Sequence, residues 1–259
     1  MRVGVVVPAF RPDPTRLGTY VRELAERFSV ARVEVDEPRP VVEERLASLP
    51  CEVGVAADRR GKGAAITGGF ETLADRVDVL AFADADGSTP GESVADVVGA
   101  VEDGADLGVG SRRHPAADVR SHQTLARRRL GDVFAWLARR LLATDLYDYQ
   151  CGAKAVSAPA WRRLREHLYE SGFAWDVELV AVAGALGLTV REVPVTWIDQ
   201  PNSTVDPLQT PLELLPALLT ARHRAKRIAG SRLHRAVDRS GETTALVDRS
   251  EESTGEDPG

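Results

Sequence analysis

Two aspartates stand one residue apart directly after an apolar stretch. Asp84 and Asp86 lie in FADADGST (82–89), and VDVLAFA (77–83) precedes them. Like charges this close repel unless a cation or water separates them. Hard divalent cations such as Mg²⁺ and Mn²⁺ prefer oxygen ligands, which they often share with substrate phosphates. The pair therefore suits a metal ion that binds a nucleoside diphosphate. The alternative is a solvated turn whose aspartates cap the helix after Pro90.

A glycine-rich stretch with a single lysine is the second candidate for chemistry. In RRGKGAAITGG (59–69) the glycines would let the backbone approach a ligand closely. Lys62 offers a point charge near phosphates, and the amides that open the following helix favour anions. The stretch is not a Walker A loop, because no Ser or Thr follows Lys62. It could equally be an ordinary helix N-terminus after a glycine-rich turn.

The first strand ends in residues that could hold a nucleobase. VVVPAFRP (5–12) places Pro8 at the strand end, followed by Phe10, whose ring could stack on a base. Loops at strand ends often hold nucleotides in parallel sheets. Many parallel sheets begin in the same way without any ligand, so the stretch alone leaves both interpretations open.

Strand-like and helix-like segments alternate through the first 111 residues and would position these candidates. The predicted strands are 2–8, 31–36, 51–57, 77–84 and 105–111, and the predicted helices are 15–28, 41–49, 63–76 and 91–104. This rhythm predicts an α/β fold, a Rossmann-like, mostly parallel sheet with helices on both faces. Ligands bind such sheets outside the carboxyl ends of the strands, where Asp84 and Asp86 would lie.

The rhythm changes after residue 111. We predict a mobile polar loop at 111–123, a long amphipathic helix at 124–144, helices near 159–167 and 171–187, and a strand at 188–197. A helix at 207–229 contains Pro216, which should kink it. The chain is thus divided into a catalytic domain at 1–205, an amphipathic basic helical segment at 206–237 and an acidic disordered tail at 238–259.

Composition narrows the class of protein. The chain has 259 residues, 43% of them hydrophobic, and a net charge of -6. No signal peptide and no stretch of about 20 apolar residues is evident, so a cytoplasmic protein that does not span the membrane is expected. The two cysteines, Cys51 and Cys151, form neither a disulfide framework nor a metal-binding spacing. No nucleic-acid partner is expected.

Taken together, the three candidate motifs resemble family 2 glycosyltransferases with the GT-A fold. That family has a first strand ending in a proline-containing loop, GKG before a helix and DAD after the fourth strand. Later motifs resemble the dolichyl-phosphate glucosyl- and mannosyltransferase branch: GSR (110–112), DYQCGAK (148–154), FAWDVELV (173–180) and VPVTW (193–197). The resemblance covers residues 2 to about 205. It implies metal-dependent, inverting transfer of a hexose from a UDP- or GDP-sugar to a polyprenyl phosphate.

The resemblance also implies roles for individual residues. Asp86 would be the main ligand of Mg²⁺ or Mn²⁺, and Asp84 would support the metal or the ribose. The residues implied for the base pocket and the nucleotide are Pro8, Ala9, Phe10, Asp36 and Lys62. Those implied to surround the sugar and the acceptor are Asp148, Gln150, Lys154, Asp176 and Glu178. Those implied to meet the acceptor phosphate are Arg112 and one or more of Arg127, Arg128 and Arg129.

The chain departs from the family pattern at two places. The second strand of the family often ends in VDDGSxD, whereas VEVDEPRP (33–40) keeps only Asp36, which puts base recognition in doubt. Mannosyltransferases commonly have glutamine two residues after the second aspartate, and Ser88 stands there, which is closer to the glucosyl branch.

The later site residues also have plain structural interpretations. Asp176 and Glu178 could simply open a helix, where acidic side chains are favourable. Lys154 could be a surface charge, and Arg127–Arg129 a solvated helix face. Cys151 is expected to be a small buried residue rather than a nucleophile, because no histidine lies near it in the sequence.

The acceptor decides what catalysis requires. A polyprenyl phosphate is already ionised at pH 7, so no strong general base is needed, and arginines can hold it in line with the anomeric carbon. A sugar hydroxyl would need a carboxylate base, for which Asp148 is the first candidate.

Two further functions are possible alternatives, a nucleotidyltransferase and a non-catalytic scaffold. A nucleotidyltransferase usually has a G-x-G-T-R-like loop after its first strand, and PAFRPDP (8–14) does not match that loop.

A lipid acceptor would require contact with a membrane. Residues 208–235 combine the apolar LELLPALL (212–219) with six basic side chains that follow it without an acid. Such a segment can lie in an anionic interface, and the helix at 124–144 has a similar character. Ordinary packing against the catalytic domain is the alternative.

Overall fold

The computed structural model describes residues 1–120, 125–199, 209–231 and 244–252, and only the backbone of 125–130, 209–214 and 250–252. Its strands are β1 (Val3–Phe10), β2 (Val30–Asp36), β3 (Glu52–Ala56), β4 (Val79–Ala83), β5 (Leu107–Ser111), β6 (Asp118–Arg120), β7 (Ala153–Ser157), β8 (Val190–Pro194) and β9 (Thr196–Ile198). Its helices are α1 (Pro14–Arg27), α2 (Pro40–Ala47), α3 (Lys62–Leu73), α4 (Gly91–Glu102), α5 (Leu125–Leu141), α6 (Ala158–Leu164), α7 (Trp175–Ala185), α8 (Gln209–Ile228) and α9 (Leu246–Glu252), with a 3₁₀ turn at Arg165–His167.

Seven strands form one sheet in the order β3-β2-β1-β4-β7-β5-β8. Neighbouring strands are parallel except around β7, which is antiparallel to both β4 and β5. The predicted mostly parallel sheet is therefore confirmed. Because β7 is reversed, Ala153 at its beginning pairs with Ala83 at the end of β4. The residues that precede β7 consequently lie beside Asp84.

The sheet separates two hydrophobic cores, because successive side chains of a strand point to opposite faces. In β4, Leu80 and Phe82 belong to one core, whereas Val79 and Ala81 belong to the other. Helices α3, α6 and α7 supply the first core, and α1, α2 and α4 supply the second. Helices therefore cover both faces, as the sequence predicts.

An aromatic cluster fixes α3, α6 and α7 on the first face. The ring of Phe70 lies 5.0 Å from Trp161 and 6.3 Å from Trp175, and the ring of Phe82 lies 5.6 Å from Trp175. All three pairs are edge-to-face, the geometry that the ring quadrupoles favour. The indole of Trp175 donates to Thr67 Oγ1, which satisfies its one polar group. Trp175 is thus a core residue, and it anchors the beginning of α7.

The segment around residues 111–123 differs from the prediction. It contains the short strand β6, which pairs with β9 in a second, two-stranded sheet. The strand predicted at 188–197 is correspondingly two strands, β8 in the main sheet and β9 in the small one. Val195 links them, since its N–H donates to Ser111 O and its carbonyl accepts from Asp118 N. The pairing with β9 is the reason that β6 is ordered, and residues 121–123 lie outside the described part.

The C-terminal segments also differ in part. Helix α8 agrees with the helix predicted at 207–229 and runs through Pro216. The tail was predicted to be disordered from residue 238, but residues 246–252 form α9, and the prediction is wrong for this segment. Helix α9 is ordered because apolar residues at its beginning are buried. These are Ala245, Leu246 and Val247, and Leu246 N donates to Leu168 O. Residues 238–243 and 253–259 of the predicted tail lie outside the described residues.

Two glycines offer a matched test of the packing at the sheet. A Cβ at Gly108 would lie 2.4 Å from the backbone oxygen of Val97, whereas a Cβ at Gly99, inside α4, would meet no atom within 4 Å. We expect Gly108→Ala to lower the free energy of unfolding by about 1–3 kcal/mol through overpacking. Gly99→Ala should raise it by about 0.5–1 kcal/mol through helix propensity. Urea unfolding measures both, and equal effects of the two variants would contradict the packing described here.

Candidate functional site

A cavity of about 540 Å³ opens at the carboxyl edge of the parallel strands. The register aligns Phe10 at the end of β1 with Asp36 at the end of β2, and Asp84 directly follows β4. The ends of neighbouring parallel strands meet at one edge, which is why these residues face one space. Of the site residues predicted from the sequence, those that line this cavity are Pro8, Ala9, Phe10, Asp36, Lys62, Asp84 and Asp86.

Four charged side chains alternate in sign from the cavity wall, where Asp84 and Lys62 lie, into the protein interior. Lys62 Nζ lies 2.9 Å from Asp84 Oδ1 and 2.8 Å from Asp176 Oδ2. The other oxygen of Asp176 lies 2.6 Å from Lys154 Nζ, which also donates to Cys151 O at 2.8 Å. Asp176 and Lys154 are almost fully buried, and Lys62 nearly so. We call Asp84, Lys62, Asp176 and Lys154 the charge chain. Lys154 is therefore not a surface charge.

The charge chain favours the ionised forms of Lys62 and Asp176. Burial lowers the pKa of Lys62, but the carboxylates of Asp176 and Asp84 outweigh burial and hold that pKa above the ordinary lysine value. Burial raises the pKa of Asp176, but Lys154 and Lys62 outweigh burial and hold that pKa below the ordinary aspartate value. Each charge is thus stabilised by the opposite charge next to it.

Asp86 stands apart from these pairs. Its Oδ1 accepts from Ser88 N at 2.9 Å, in a turn where Gly87 takes a φ of +67°, a conformation that suits glycine. Burial raises the pKa of Asp86, and the charge of Asp84 raises it further. At the N-terminus of α4 the amide of Gly91 donates to Glu23 Oε1 at 2.8 Å, and neither aspartate accepts a hydrogen bond from the helix. A cation at Asp86 would relieve the effects that disfavour its charge.

The carboxylates at the cavity fit a divalent cation that is bound partly by the protein and partly by a substrate. Asp84 and Asp86 both line the cavity and offer carboxylate oxygens, the ligands that Mg²⁺ and Mn²⁺ prefer. Within the described part of the chain, no group of three or more His, Cys, Asp or Glu side chains forms a metal site. Ions of this type commonly bind one or two carboxylates and complete their shell with phosphate oxygens and water.

Close packing requires both glycines of the GKG stretch, and Gly61 also lines the cavity. A Cβ at Gly61 would lie 2.5 Å from Ser171 O, and one at Gly63 would lie 2.4 Å from Glu170 O. The amides of Gly63 and Ala64, which open α3, donate to Ser171 O at 2.8 and 3.2 Å. These amides were predicted to favour an anion, and the structure commits them to a carbonyl instead. Of this stretch, Lys62 is the predicted residue that points its charge toward the cavity.

Asp36 lines the cavity but is occupied by protein donors. Its Oδ2 accepts from the amides of Arg60 and Gly61 at 2.8 and 3.0 Å, and its Oδ1 accepts from Arg60 Nε at 2.8 Å. Asp36 therefore anchors the loop before α3. Phe10 is covered by the guanidinium of Arg59, which lies 4.2 Å from the ring centroid. This end of the cavity is thus walled by an aromatic ring and a cation.

Sequence reasoning missed several residues of the cavity wall. Those with side chains that could bind a ligand are Arg11, Arg16, Arg39, Arg59 and Phe173. Three of them carried a usable signal, because Arg11 lies in VVVPAFRP, Arg59 begins RRGKGAAITGG and Phe173 begins FAWDVELV. The arginines of α1 and of the loop after β2 carried none, since isolated arginines are usual on surfaces.

Asp148 and Arg112 form a bidentate ion pair outside the cavity lining. Arg112 Nε and Nη2 lie 2.7 and 3.1 Å from the two oxygens of Asp148, and Gln150 N donates to Oδ1 at 3.0 Å. Burial raises the pKa of Asp148, but Arg112 outweighs burial and lowers that pKa to about 2. Such a carboxylate is a weak base. Asp148 thus anchors Arg112 in this structure, which argues against its use as a general base.

The remaining predicted residues also lie away from the cavity lining. Glu178 is buried and accepts from the amides of Tyr169 and Glu170, both at 2.8 Å, and pairs with Arg224. Glu178 therefore holds backbone amides rather than a ligand. Gln150 is half-buried, and its amide donates to Asp148. The side chain of Arg127 lies outside the described residues, as do those of Arg128 and Arg129. Burial raises the pKa of Cys151 to about 12, in agreement with an inert thiol.

Comparison with known proteins gives relatives of one kind. The chain is 30% identical over 221 residues to glycosyltransferase AglD of Haloferax volcanii. The aligned region covers 80% of this chain and 34% of that protein. It is 26% identical over 245 residues to the dolichyl-phosphate beta-glucosyltransferase of Dictyostelium discoideum, with coverage of 86% and 74%. The chain thus spans about a third of the length of the first relative. No family model matches it.

Solved structures identify the fold. Glucosyl-3-phosphoglycerate synthase of Mycobacterium tuberculosis, solved with Mn²⁺, uridine diphosphate and glucosyl-3-phosphoglycerate, superimposes with a TM-score of 0.65 at 17% identity. The match covers 85% of this chain and 79% of that one. At this identity the likeness speaks for the fold alone, and it confirms the predicted GT-A architecture.

The ion pair of Asp148 predicts an acid-sensitive contribution to stability. Its pKa in the folded state, about 2, lies below the ordinary value of 3.8, so the ionised form stabilises the fold above about pH 4. This contribution, on the order of 2 kcal/mol, is lost as the pH falls from about 4 to about 2. Asp148→Asn should be less stable at pH 7 and show a flatter acid dependence in thermal melts. The exposed neighbour Asp145 provides the control Asp145→Asn, and identical profiles for both variants would contradict the assignment.

Proposed function

We propose that the chain is a family 2 glycosyltransferase of the GT-A fold that transfers glucose or mannose from a UDP- or GDP-sugar to a polyprenyl phosphate. The observation that carries the proposal is the cavity at the carboxyl edge of the sheet, where Phe10, Lys62, Asp84 and Asp86 meet. An aromatic ring for a base, a fixed cation and two carboxylates are the groups that a nucleotide diphosphate requires. Relatives named as dolichyl-phosphate glucosyltransferases support glucose as the sugar.

The donor would lie along the cavity from Phe10 to Asp86. Phe10 would stack on the base, next to Pro8 and Ala9. Lys62 would face the diphosphate, because the charge chain fixes its ammonium beside Asp84. This arrangement orients the donor before any chemistry, which is a main source of rate enhancement in transfer reactions.

Asp84 and Asp86 would hold a divalent metal ion, Mg²⁺ or Mn²⁺. When bound, the ion would neutralise the charge that develops on the departing nucleoside diphosphate. The chain's own contribution is to keep the two carboxylates at one cavity wall. Burial and mutual repulsion make Asp86 a poor site for an uncompensated charge, and thus a good site for a cation.

The acid–base properties of the site favour a phosphate acceptor over a hydroxyl. Asp148, the carboxylate considered as a base, has a pKa of about 2 and is paired with Arg112. Asp176 is buried between two lysines. A phosphate monoester needs no deprotonation by the enzyme, so it only has to be held opposite the leaving group. A single attack from that side inverts the anomeric centre.

A turnover assay tests the proposal. Purified protein with Mn²⁺ or Mg²⁺, a short polyprenyl phosphate and a panel of UDP- and GDP-sugars should give a glycosylated lipid, detected by mass spectrometry, with one donor. Asp86→Ala should lose at least about a hundredfold in turnover, because a charge-stabilising group is removed, whereas Asp96→Ala, an exposed carboxylate on α4, should not. Nucleotide release without lipid product would indicate a different acceptor. Folded protein inactive with every donor would favour a non-catalytic scaffold.

A lipid acceptor also requires a membrane-facing surface, and we propose that α5 and α8 provide it at the cytoplasmic membrane face. Leu218, Ala221 and Ala225 pack α8 against the body, while Leu215 and Leu219 on the same helix are exposed. On α5, Val133 and Trp136 are also exposed. Packing and exposure thus occupy different faces of α8. No helix in the described ranges is long and apolar enough to cross a bilayer.

Vesicle binding tests the membrane contact. Trp136→Ser and Leu219→Ser together should weaken co-sedimentation with vesicles of anionic phospholipid several-fold, because apolar area is lost from the exposed faces. Val41→Ser, an equally exposed apolar residue on α2, is the control. Binding that is unchanged in the double variant, or equally weakened in the control, would remove α5 and α8 from the contact.

A further inference from the structure

Residues 168–173, here called the connecting loop, lie between the two C-terminal helices and the donor cavity. The loop follows the 3₁₀ turn and leads into α7. Its ends have different neighbours: Leu168 and Tyr169 meet α9 and α8, whereas Ser171 and Phe173 meet α3 and the cavity. Neither the charge chain nor the proposed ligand contacts account for the hydrogen bonds that fix the backbone of this loop.

The inner side of the loop positions the donor-site residues. Ser171 O accepts from the amides of Gly63 and Ala64, directly after Lys62. Phe173, about half exposed, forms part of the cavity wall. A displacement of the loop would therefore move the beginning of α3, and with it the ammonium that faces Asp84.

The outer side of the loop accepts hydrogen bonds from α9, from Leu246 N to Leu168 O and from Arg249 to Tyr169 O, and is held in addition by a buried ion pair. Glu178 on α7 accepts from the amides of Tyr169 and Glu170 with one oxygen and pairs with Arg224 of α8 through the other. The carboxylate of Glu178 is 2% exposed. The guanidinium of Arg224 also lies over the ring of Tyr169, 4.7 Å from its centroid.

We propose that Arg224 and Glu178 are positioning residues for the donor site. The pair makes the location of Lys62 and Phe173 depend on the docking of α8, through the connecting loop. The inference rests on the proposed function in one respect, namely that the cavity binds a nucleotide sugar. Since α8 also carries the surface proposed to face the lipid, the pair joins acceptor-side docking to donor-side geometry.

The cost of burying an unpaired carboxylate makes the position of the loop depend strongly on Arg224. Without Arg224, Glu178 would be a buried carboxylate whose charge is compensated only by two amides, and removal of one partner of a buried pair is strongly destabilising. The carboxylate would move toward water and release Tyr169 and Glu170. Misplacement of a positioning group by about 1 Å can cost up to about a hundredfold in an enzyme site.

The experiment compares Arg224→Met with the matched control Lys226→Met. Both remove one positive charge from α8, but Lys226 is exposed. With Mn²⁺ present, we expect Arg224→Met to weaken UDP or GDP binding, measured by calorimetry, by roughly tenfold. The KM for a short, detergent-dispersed polyprenyl phosphate should stay within about twofold, and Arg224→Lys should recover most of the nucleotide affinity. A merely structural role would lower the melting temperature without this split.

Amide hydrogen exchange provides a second measurement, which needs no ligand. In Arg224→Met the amides of Gly63, Ala64, Tyr169 and Glu170 should lose protection, while those of β1 should not. Unchanged protection at Gly63 and Ala64, or equal nucleotide weakening in Lys226→Met, would overturn the proposal. If Arg224→Met does not fold, Arg224→Gln, which keeps a donor, takes its place with the same outcomes. A wild-type protein that binds neither nucleotide would refute the proposed function, while the exchange result would still decide the positioning role.

Discussion

The candidate site depends on one buried alternation of charge, from Asp84 through Lys62 and Asp176 to Lys154. Isolated charges in a protein interior are expensive, and each of these is acceptable only because its neighbour has the opposite sign. The alternation joins segments from distant parts of the sequence: the end of β4, the start of α3, the start of β7 and the first turn of α7. The position of Asp84 at the cavity is consequently a property of the whole domain rather than of one loop.

Much of the fold was readable because apolar periodicity reflects which faces are buried. The strands β1 to β5, their helices and the cavity edge followed from it, and DAD, GKG and the later motifs were sufficient to indicate the residues of the charge chain. The sequence could not show which charged side chains form ion pairs with one another. Asp148 and Asp176 are both carboxylates in motifs, yet one pairs with a single arginine and the other with two lysines. Such differences arise from tertiary contacts between residues far apart in the chain.

The errors had the same origin. Nothing in the polar stretch before residue 121 indicates β6, because its order comes from β9, more than seventy residues later. Likewise, three apolar residues within an acidic tail are a weak signal, and only the surface beside Leu168 gives them a place to bury. The glycines around Lys62 were interpreted as room for a ligand, whereas they make room for the carbonyls of Glu170 and Ser171.

The reversed strand β7 has a consequence for the synthesis of the protein. It lies between β4 and β5, which precede it in the chain and whose residues are entirely buried in the finished sheet. A ribosome-bound chain that ends before residue 153 therefore holds two apolar strands, each with an unpaired edge. Open edges of this kind promote pairing with other chains. Translation pausing in the intervening stretch would prolong that exposure, so timely emergence of β7 protects the nascent protein from aggregation.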